Sequence, residues 1–301
     1  MPSIIKRVKR LVNDKKKRFL TLERKGFYNK LSDEKFLRKK WKAIFGKELN
    51  LNNPKTFNEK LQWLKLYDRK PEYIKMVDKC EVKKHAAGII GEEYIIPTLG
   101  VWENYDEIDF DGLPDRFVLK CTHDSGSVKI IKNKSNIDHV QLKEYFTKKL
   151  SINYYYHSRE WPYKNVKPRI IAEEYIEDDI NPELRVYKVF NFNGEPGIIQ
   201  MVNGDKTSHE YINYYDTEWN FLELKQNYPN GPIDKKPVCL NEILELSAKL
   251  SQKMPFIRTD FYVVKGKVLF SEFTFYSDAG FIAFDPKEWD QKLGDMISLP
   301  Q

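Results

Sequence analysis

The chain has 301 residues, 41% of them hydrophobic and 14% aromatic, with a formal net charge of +7. That composition excludes disorder and supplies one large core or two modest ones. Three cysteines without paired spacing exclude a disulfide framework and a CxxC zinc site, and no apolar run suits a signal peptide or a membrane span, so a reducing cytoplasm is the expected compartment.

Positive charge gathers at one end: residues 1–50 hold 17 Lys or Arg against 5 Asp or Glu, and the other 251 residues hold 34 against 39. Ile4, Ile5, Val8, Leu11 and Val12 recur at helical spacing among Lys6, Arg7, Lys9 and Arg10. The pattern predicts either a basic amphipathic helix resting through residues 1–25 on an anionic membrane or polyanion, or a tail kept soluble by its charges. No nucleic-acid-binding motif accompanies it, so no nucleic acid is expected as a partner. Helical periodicity over 27–75 buries Trp41, Phe45, Leu61, Trp63, Leu64 and Leu66, breaks at Asn52, Asn53 and Pro54, and restarts at Thr56 with Glu59 as its capping-box partner. A helix over 75–87 ends at Gly88, and a strand begins at 94–97.

DFDGLPD, residues 109–115, is a turn before a strand over 116–121; Asp109 and Asp111 also spell the short DxD by which many glycosyltransferases hold a metal. A helix over 139–150 leads to the aromatic stretch Tyr154, Tyr155, Tyr156, Trp161 and Tyr163, which suits either lobe packing or a stacking platform for sugar rings. After a strand over 169–176, Asn193-Gly194 joins strands 185–192 and 196–202 into a hairpin, and 240–253 is an amphipathic helix.

The last hairpin is the most telling. Ile257, Phe261 and Val263 alternate with Arg258, Asp260 and Tyr262, and Leu269, Phe273 and Phe275 alternate with Phe270, Glu272 and Thr274. A three-residue loop at Lys265, Gly266 and Lys267 sets Asp260 opposite Glu272 and Arg258 opposite Thr274; a two-residue loop sets the two carboxylates on opposite faces. Opposed carboxylates roughly 4.5–5.5 Å apart repel unless a proton or a cation intervenes, and a hard divalent cation suits them. A solvated hairpin is the alternative.

The strings VDKC, EEYIIPTLGVW, FVLKCTHDSGS, SREWPYKN and PRIIAEEYIED, followed by the Asp260…Glu272 hairpin, resemble the TupA-like ATP-grasp family linked to teichuronopeptide and capsular polysaccharide synthesis. The resemblance runs from about residue 50 to 295 and implies an ATP-grasp fold of two α+β lobes enclosing ATP. The expected division is a basic helical extension over 1–49, a helical region and first lobe over 50–172, and a second lobe with the metal site over 173–301. Carried over residue by residue, the resemblance assigns Lys79 and Lys120 to the ATP phosphates, with His123, Ser125, Gly126 and Ser127 in the loop above them. It assigns Glu173, Tyr175 and Ile176 to adenine, Glu183 to the ribose, and Lys188 to the terminal phosphate. Arg258 is to stabilise charge during phosphoryl transfer, and Asp260, Glu272 and Thr274 are to hold Mg²⁺. Thr274 stands where Asn is usual, and Asp124 where glycine is usual.

The expected activity is that of an ATP-dependent carboxylate–amine ligase working through an acylphosphate. Its carboxylate would come from a uronic acid, a uronate-containing polysaccharide or an amino acid, and its amine from an amino acid or another amine. A glycosyltransferase, a kinase on the same fold and an ATP-binding partner protein are the alternatives.

Overall fold

The computed structural model describes residues 14–178, 184–204 and 210–300, so the amphipathic stretch at 4–12 and Glu183 lie outside the described residues. Five helices come first: α1 (Lys15–Arg24), α2 (Asp33–Phe45), α3 (Phe57–Tyr67), α4 (Glu72–Val77) and α5 (Glu81–Ile90). The expected capping box starts α3: Thr56 Oγ1 accepts from the Glu59 N–H at 3.3 Å and Glu59 Oε2 accepts from the Thr56 N–H at 3.2 Å. The single helix expected over 75–87 is instead split between α4 and α5. Asp78 Oδ1 accepts from the backbone N–H groups of Cys80 and Glu81, at 2.9 and 3.4 Å, which starts a new helix. Gly88 lies inside α5, which ends at Gly91 with φ +106.

Four antiparallel strands follow, β1 (Thr98–Trp102), β2 (Phe117–Cys121), β3 (Val128–Ile131) and β4 (Ile170–Glu174), in the order β1-β4-β2-β3. α6 (His139–Leu150) covers their apolar face, where Phe117, Leu119, Leu142, Phe146, Ile170 and Ala172 form a core. Because successive side chains alternate across a strand, burying Phe117, Leu119 and Cys121 sends Lys120 to the opposite face. In the aromatic stretch around α7 (Tyr155–Ser158), Tyr155 is buried, Tyr154 packs edge-on against Tyr163, and Tyr156 is exposed. Arg159 is fully buried, its guanidinium lies over the Phe36 ring at 4.4 Å, and Nη2 donates to the Tyr28 carbonyl at 2.8 Å.

The second sheet has six antiparallel strands, β5 (Val186–Phe192), β6 (Glu195–Asn203), β7 (Tyr211–Asp216), β8 (Phe221–Leu222), β9 (Phe256–Val264) and β10 (Lys267–Thr274), in the order β10-β9-β5-β6-β7-β8. α8 (Leu240–Ser251) packs on β5, β6 and β9, and α9 (Glu288–Asp295) packs on α3. The largest core joins Phe57, Leu61, Tyr73 and Val82 of the early helices to Val189, Ile199, Ile243 and Phe261 of this second unit. The expected grouping of 50–172 is therefore divided by burial: α3, α4 and α5 belong with the six-stranded sheet. β4 crosses the expected boundary at 172, since its pairing with β1 and β2 ties all of it to the first sheet. No helix among the described residues is long and apolar enough to cross a membrane.

Candidate active site

The β9–β10 hairpin turns on two residues, Lys265 and Gly266, both left-handed at φ +52 and +78. The expected three-residue loop is not what forms. Phe270 pairs with Phe261, but Ser271 is then an extra residue on β10, a bulge that shifts the register so that Glu272 meets Asp260 and Thr274 meets Arg258. The expected pairing is reached by another route. On the other side of β9, Lys188 of β5 lies opposite Asp260, so one row across three strands carries Lys188, Asp260 and Glu272.

Arg258 organises this face. Its Nε donates to Asp260 Oδ1 at 2.7 Å and its Nη2 to Oδ2 at 2.8 Å, a two-pronged bond between groups that are 8% and 2% exposed. Nη2 also donates to Thr274 Oγ1 at 3.0 Å and Nη1 to Ser277 Oγ at 3.2 Å. Among the described residues, neither Lys188 nor Glu272 has a side-chain hydrogen bond or ion pair. Two carboxylates at one cross-strand position with a hydroxyl beside them are an all-oxygen donor set that a hard divalent cation accepts. Among the described residues no group of three His, Cys, Asp or Glu could hold a metal alone, so phosphate oxygens would have to complete its shell.

The opposing wall comes from the first sheet and α5. Glu173 of β4 is gripped by Lys120 of β2 and, at 2.8 Å, by Lys83 of α5. Burial by itself would raise the Glu173 carboxyl, but the two ammonium groups overcome it and hold the group at about 2. Lys120 is shifted upward in turn: burial opposes its charge, and Glu173, Tyr262 and Glu272 outweigh that opposition. Lys120 is thus within electrostatic reach of the carboxylate row on the second sheet.

The loop joining β2 to β3 carries Ser125, Gly126 and Ser127, and Gly126 has the φ of +90 that a residue without Cβ tolerates. Lys79 Nζ donates to the Asp124 carbonyl and its own N–H to the Thr122 carbonyl, which ties the α4–α5 junction to this loop. The Asp124 carboxylate is turned inward, accepting from Ser127 Oγ, which takes its charge off the loop surface. His123 belongs to the loop through its backbone alone. Its ring is 2% exposed, with Nε2 at 3.3 and 3.2 Å from the Lys149 and Ile152 carbonyls, so it fastens the end of α6 and presents only backbone to the loop. Tyr175 and Ile176 follow β4, where Arg116 lies 5.3 Å from the Tyr175 ring. Asp109 Oδ1 accepts from the N–H groups of Asp111 and Gly112 at 3.1 and 3.3 Å, so the DxD is accounted for as a turn.

Sequence reasoning missed several residues of this region. Lys83 falls on the face of α5 that meets Glu173, a placement set only by how α5 packs. Asp278 is aimed by a turn in which Asp278 and Ala279 are both left-handed, at φ +48 and +53, a feature without a composition signal. Gln200 and Tyr214 extend the row of Lys188 onto β6 and β7.

Two opposed units, one presenting Lys120 on a strand beside a glycine-containing hairpin loop and the other a row of acidic and basic side chains on an antiparallel sheet, have the arrangement of ATP-grasp proteins. Within that class the chain belongs to the TupA-like ATPgrasp family, whose profile matches residues 59–298, and its fold is the ATP-grasp α+β fold. Among solved structures it is similar to the D-alanine–D-alanine ligase of Bacillus anthracis, at 16% identity and TM-score 0.42, covering 79% of this chain and 67% of that one. It is also similar to a RimK domain ATP-grasp protein of Sphaerobacter thermophilus, at 10% identity and TM-score 0.43 over 76% and 70% of the two chains. A third is the phosphoribosylamine–glycine ligase of Thermotoga maritima, at 14% identity and TM-score 0.39, covering 67% of this chain and 48% of that one. No curated protein matches the sequence.

Proposed function

We propose that this protein is an ATP-dependent ligase that joins a carboxylate to an amine. The observation that carries the reading is the row of Lys188, Asp260 and Glu272 beside Arg258, with Lys120 within electrostatic reach across from it. ATP would lie between the walls, with Lys79, Lys120 and the backbone of Ser125, Gly126 and Ser127 at its phosphates and the segment Glu173 to Ile176 beside its base. Glu183 remains part of the proposed ribose contact. Lys188 would meet the terminal phosphate. Asp260, Glu272 and Thr274 are suited to Mg²⁺, which when bound would neutralise phosphate charge.

The work of this chain's own residues is to orient and to offset charge. A substrate carboxylate oxygen attacks the terminal phosphorus, the bond to ADP breaks, and Arg258 and Lys188 stabilise the charge spread over the transferring oxygens. An amine then attacks the acyl carbon, the C–O bond breaks, and phosphate leaves with one of the amine protons. The acid would be a uronic acid unit or an amino acid in cell-surface polysaccharide synthesis. The excess of cations in residues 1–50 supports an anionic polymer or a membrane surface as a partner held by charge. The DxD turn gives no support to a glycosyltransferase.

The test is to incubate the protein with ATP, Mg²⁺, a uronate acceptor and an amino-acid mixture, and to follow ADP and product masses. ADP release that needs both an acid and an amine supports the ligase. A stable phosphate ester formed without an amine would replace it with a kinase.

A further inference from the structure

Glu173 is held at both carboxylate oxygens, by two lysines that are not fastened alike. Lys83 of α5 meets Oε1 at 2.8 Å, and Lys120 of β2 meets Oε2. Lys83 Nζ also donates to the carbonyl of Ile96, just before β1, so it is tied to the scaffold as well as to the carboxylate. Among the described residues Lys120 bonds to Glu173 alone, while Tyr262 and Glu272 favour its charge from the opposing wall. Glu173 cannot follow Lys120 into the cleft, because its backbone lies in the sheet opposite Thr98 on one side and Val118 on the other.

A nucleotide triphosphate between the walls offers Lys120 several negative charges in place of one, so it competes with Glu173 for that ammonium. Without Lys83 the exchange would leave a carboxylate that is 5% exposed with no cation, and burial would drive it to take up a proton. No other titratable neighbour replaces the lost charge. Burial raises the Cys80 thiol and the Tyr262 phenol, which are neutral at pH 7, and the Glu272 carboxylate has the wrong sign. Lys83 is lowered by burial and by Lys120 and supported by Glu173, so the departure of Lys120 leaves the Lys83 ammonium more stable. An ionised carboxylate accepts hydrogen bonds and donates none. It suits the exocyclic amino group of adenine and repels the carbonyl oxygen that guanine carries at the same ring position.

We propose that Lys83 is the positioning residue that sets base selectivity: the nucleotide draws Lys120 off Glu173 Oε2 to the phosphates, the adenine amino group takes the vacated oxygen, and Lys83 stays on Oε1 and keeps the carboxylate charged. The assignment rests on the nucleotide part of the ligase reading and adds to it a residue set behind the base.

Binding of non-hydrolysable ATP and GTP analogues to the full chain with Mg²⁺ is measured by calorimetry between about pH 6 and 8, in buffers of different ionisation heat so that protons are counted. Lys83→Gln, which keeps a donor and removes the charge, is expected to take up about one proton more than wild type with the ATP analogue and to lose affinity by up to about tenfold per pH unit as pH rises. Its preference for the ATP over the GTP analogue at pH 6 is expected to shrink at least about tenfold. Lys83→Arg, which keeps the charge, is expected to follow wild type in all three. A purely structural role would weaken both analogues alike, and a Lys83→Gln protein with the wild-type proton count and preference overturns the proposal. The wild type gives a second check that needs no Lys83 variant: infrared difference spectra on adding the ATP analogue should contain no protonated-carboxyl band, and such a band, absent from Glu173→Gln, would also overturn it. Wild type that binds both analogues equally refutes the proposal and spares the ligase reading, whereas wild type that binds neither refutes both.

Discussion

Replacing Glu173 by Gln tests the wall that Lys120 and Lys83 build. The carboxylate is 5% exposed and contacts both ammonium groups, one of them at 2.8 Å. Its pKa falls from an ordinary 4.5 to about 2 in the fold. At about 1.4 kcal/mol per unit, that depression corresponds to about 3 kcal/mol of stability, of the same size as the loss expected from removing one partner of a buried pair. Because the folded value is the lower one, this stability is complete above pH 4.5 and is lost as pH falls towards 2. A protonated Glu173 and a glutamine leave the same two ammonium groups without an anion, so wild type and variant should converge at acid pH. Urea unfolding at pH 7 should place Glu173→Gln about 3 kcal/mol below wild type, and the gap should narrow steadily between pH 4.5 and 2. A gap under about 1 kcal/mol at pH 7, or one that ignores pH, would refute the reasoning.

Arg258→Ala strips Asp260 of both its hydrogen bonds, so ADP-forming kcat should fall by about 10²–10³ and urea stability by about 3 kcal/mol; unchanged turnover in a coupled ADP assay would contradict the role. Glu272→Gln removes a carboxylate that makes no hydrogen bond or ion pair with a described side chain and acts on Lys120 and Arg258 only at longer range, so stability should stay within about 1 kcal/mol. The Mg²⁺ needed for half-maximal nucleotide binding should nevertheless rise about tenfold or more, and a titration that does not move excludes Glu272 from the metal. His123→Ala should cost about 1 kcal/mol by releasing the end of α6, with nucleotide affinity unaltered in calorimetry; weakened affinity would return His123 to the phosphate loop.

Local signals carried much of this molecule. Thr56 and Glu59 marked a helix start because a capping box is satisfied within four residues. Asn193-Gly194 marked its turn because both residues adopt left-handed angles, φ +54 and +90. Asp78 was a legible cap too, yet the periodicity through 75–87 overrode it and hid the break that sets Lys79 against the phosphate loop. His123 shows the opposite limit. Its position in the chain suggested a ligand role, but side-chain direction depends on the neighbouring helix, and α6 offered carbonyls to its ring.

Register marks the division between what the chain declares and what packing decides. Alternation along β9 and β10 was enough to nominate Arg258, Asp260, Glu272 and Thr274, since period-two patterning is a property of each strand alone. Their meeting was not a local matter: the turn is two residues long, and the Ser271 bulge restores the pairing. A second register shift, between Phe190 and Asn191 on β5 and the facing residues of β6, likewise sets Gln200 opposite Lys188. A bulge inserts one residue and moves every later side chain to the other face, and whether it forms depends on which face the surrounding core must bury. Strand patterning thus named Asp260 and Glu272, and only the folded sheet put them in one row with Lys188.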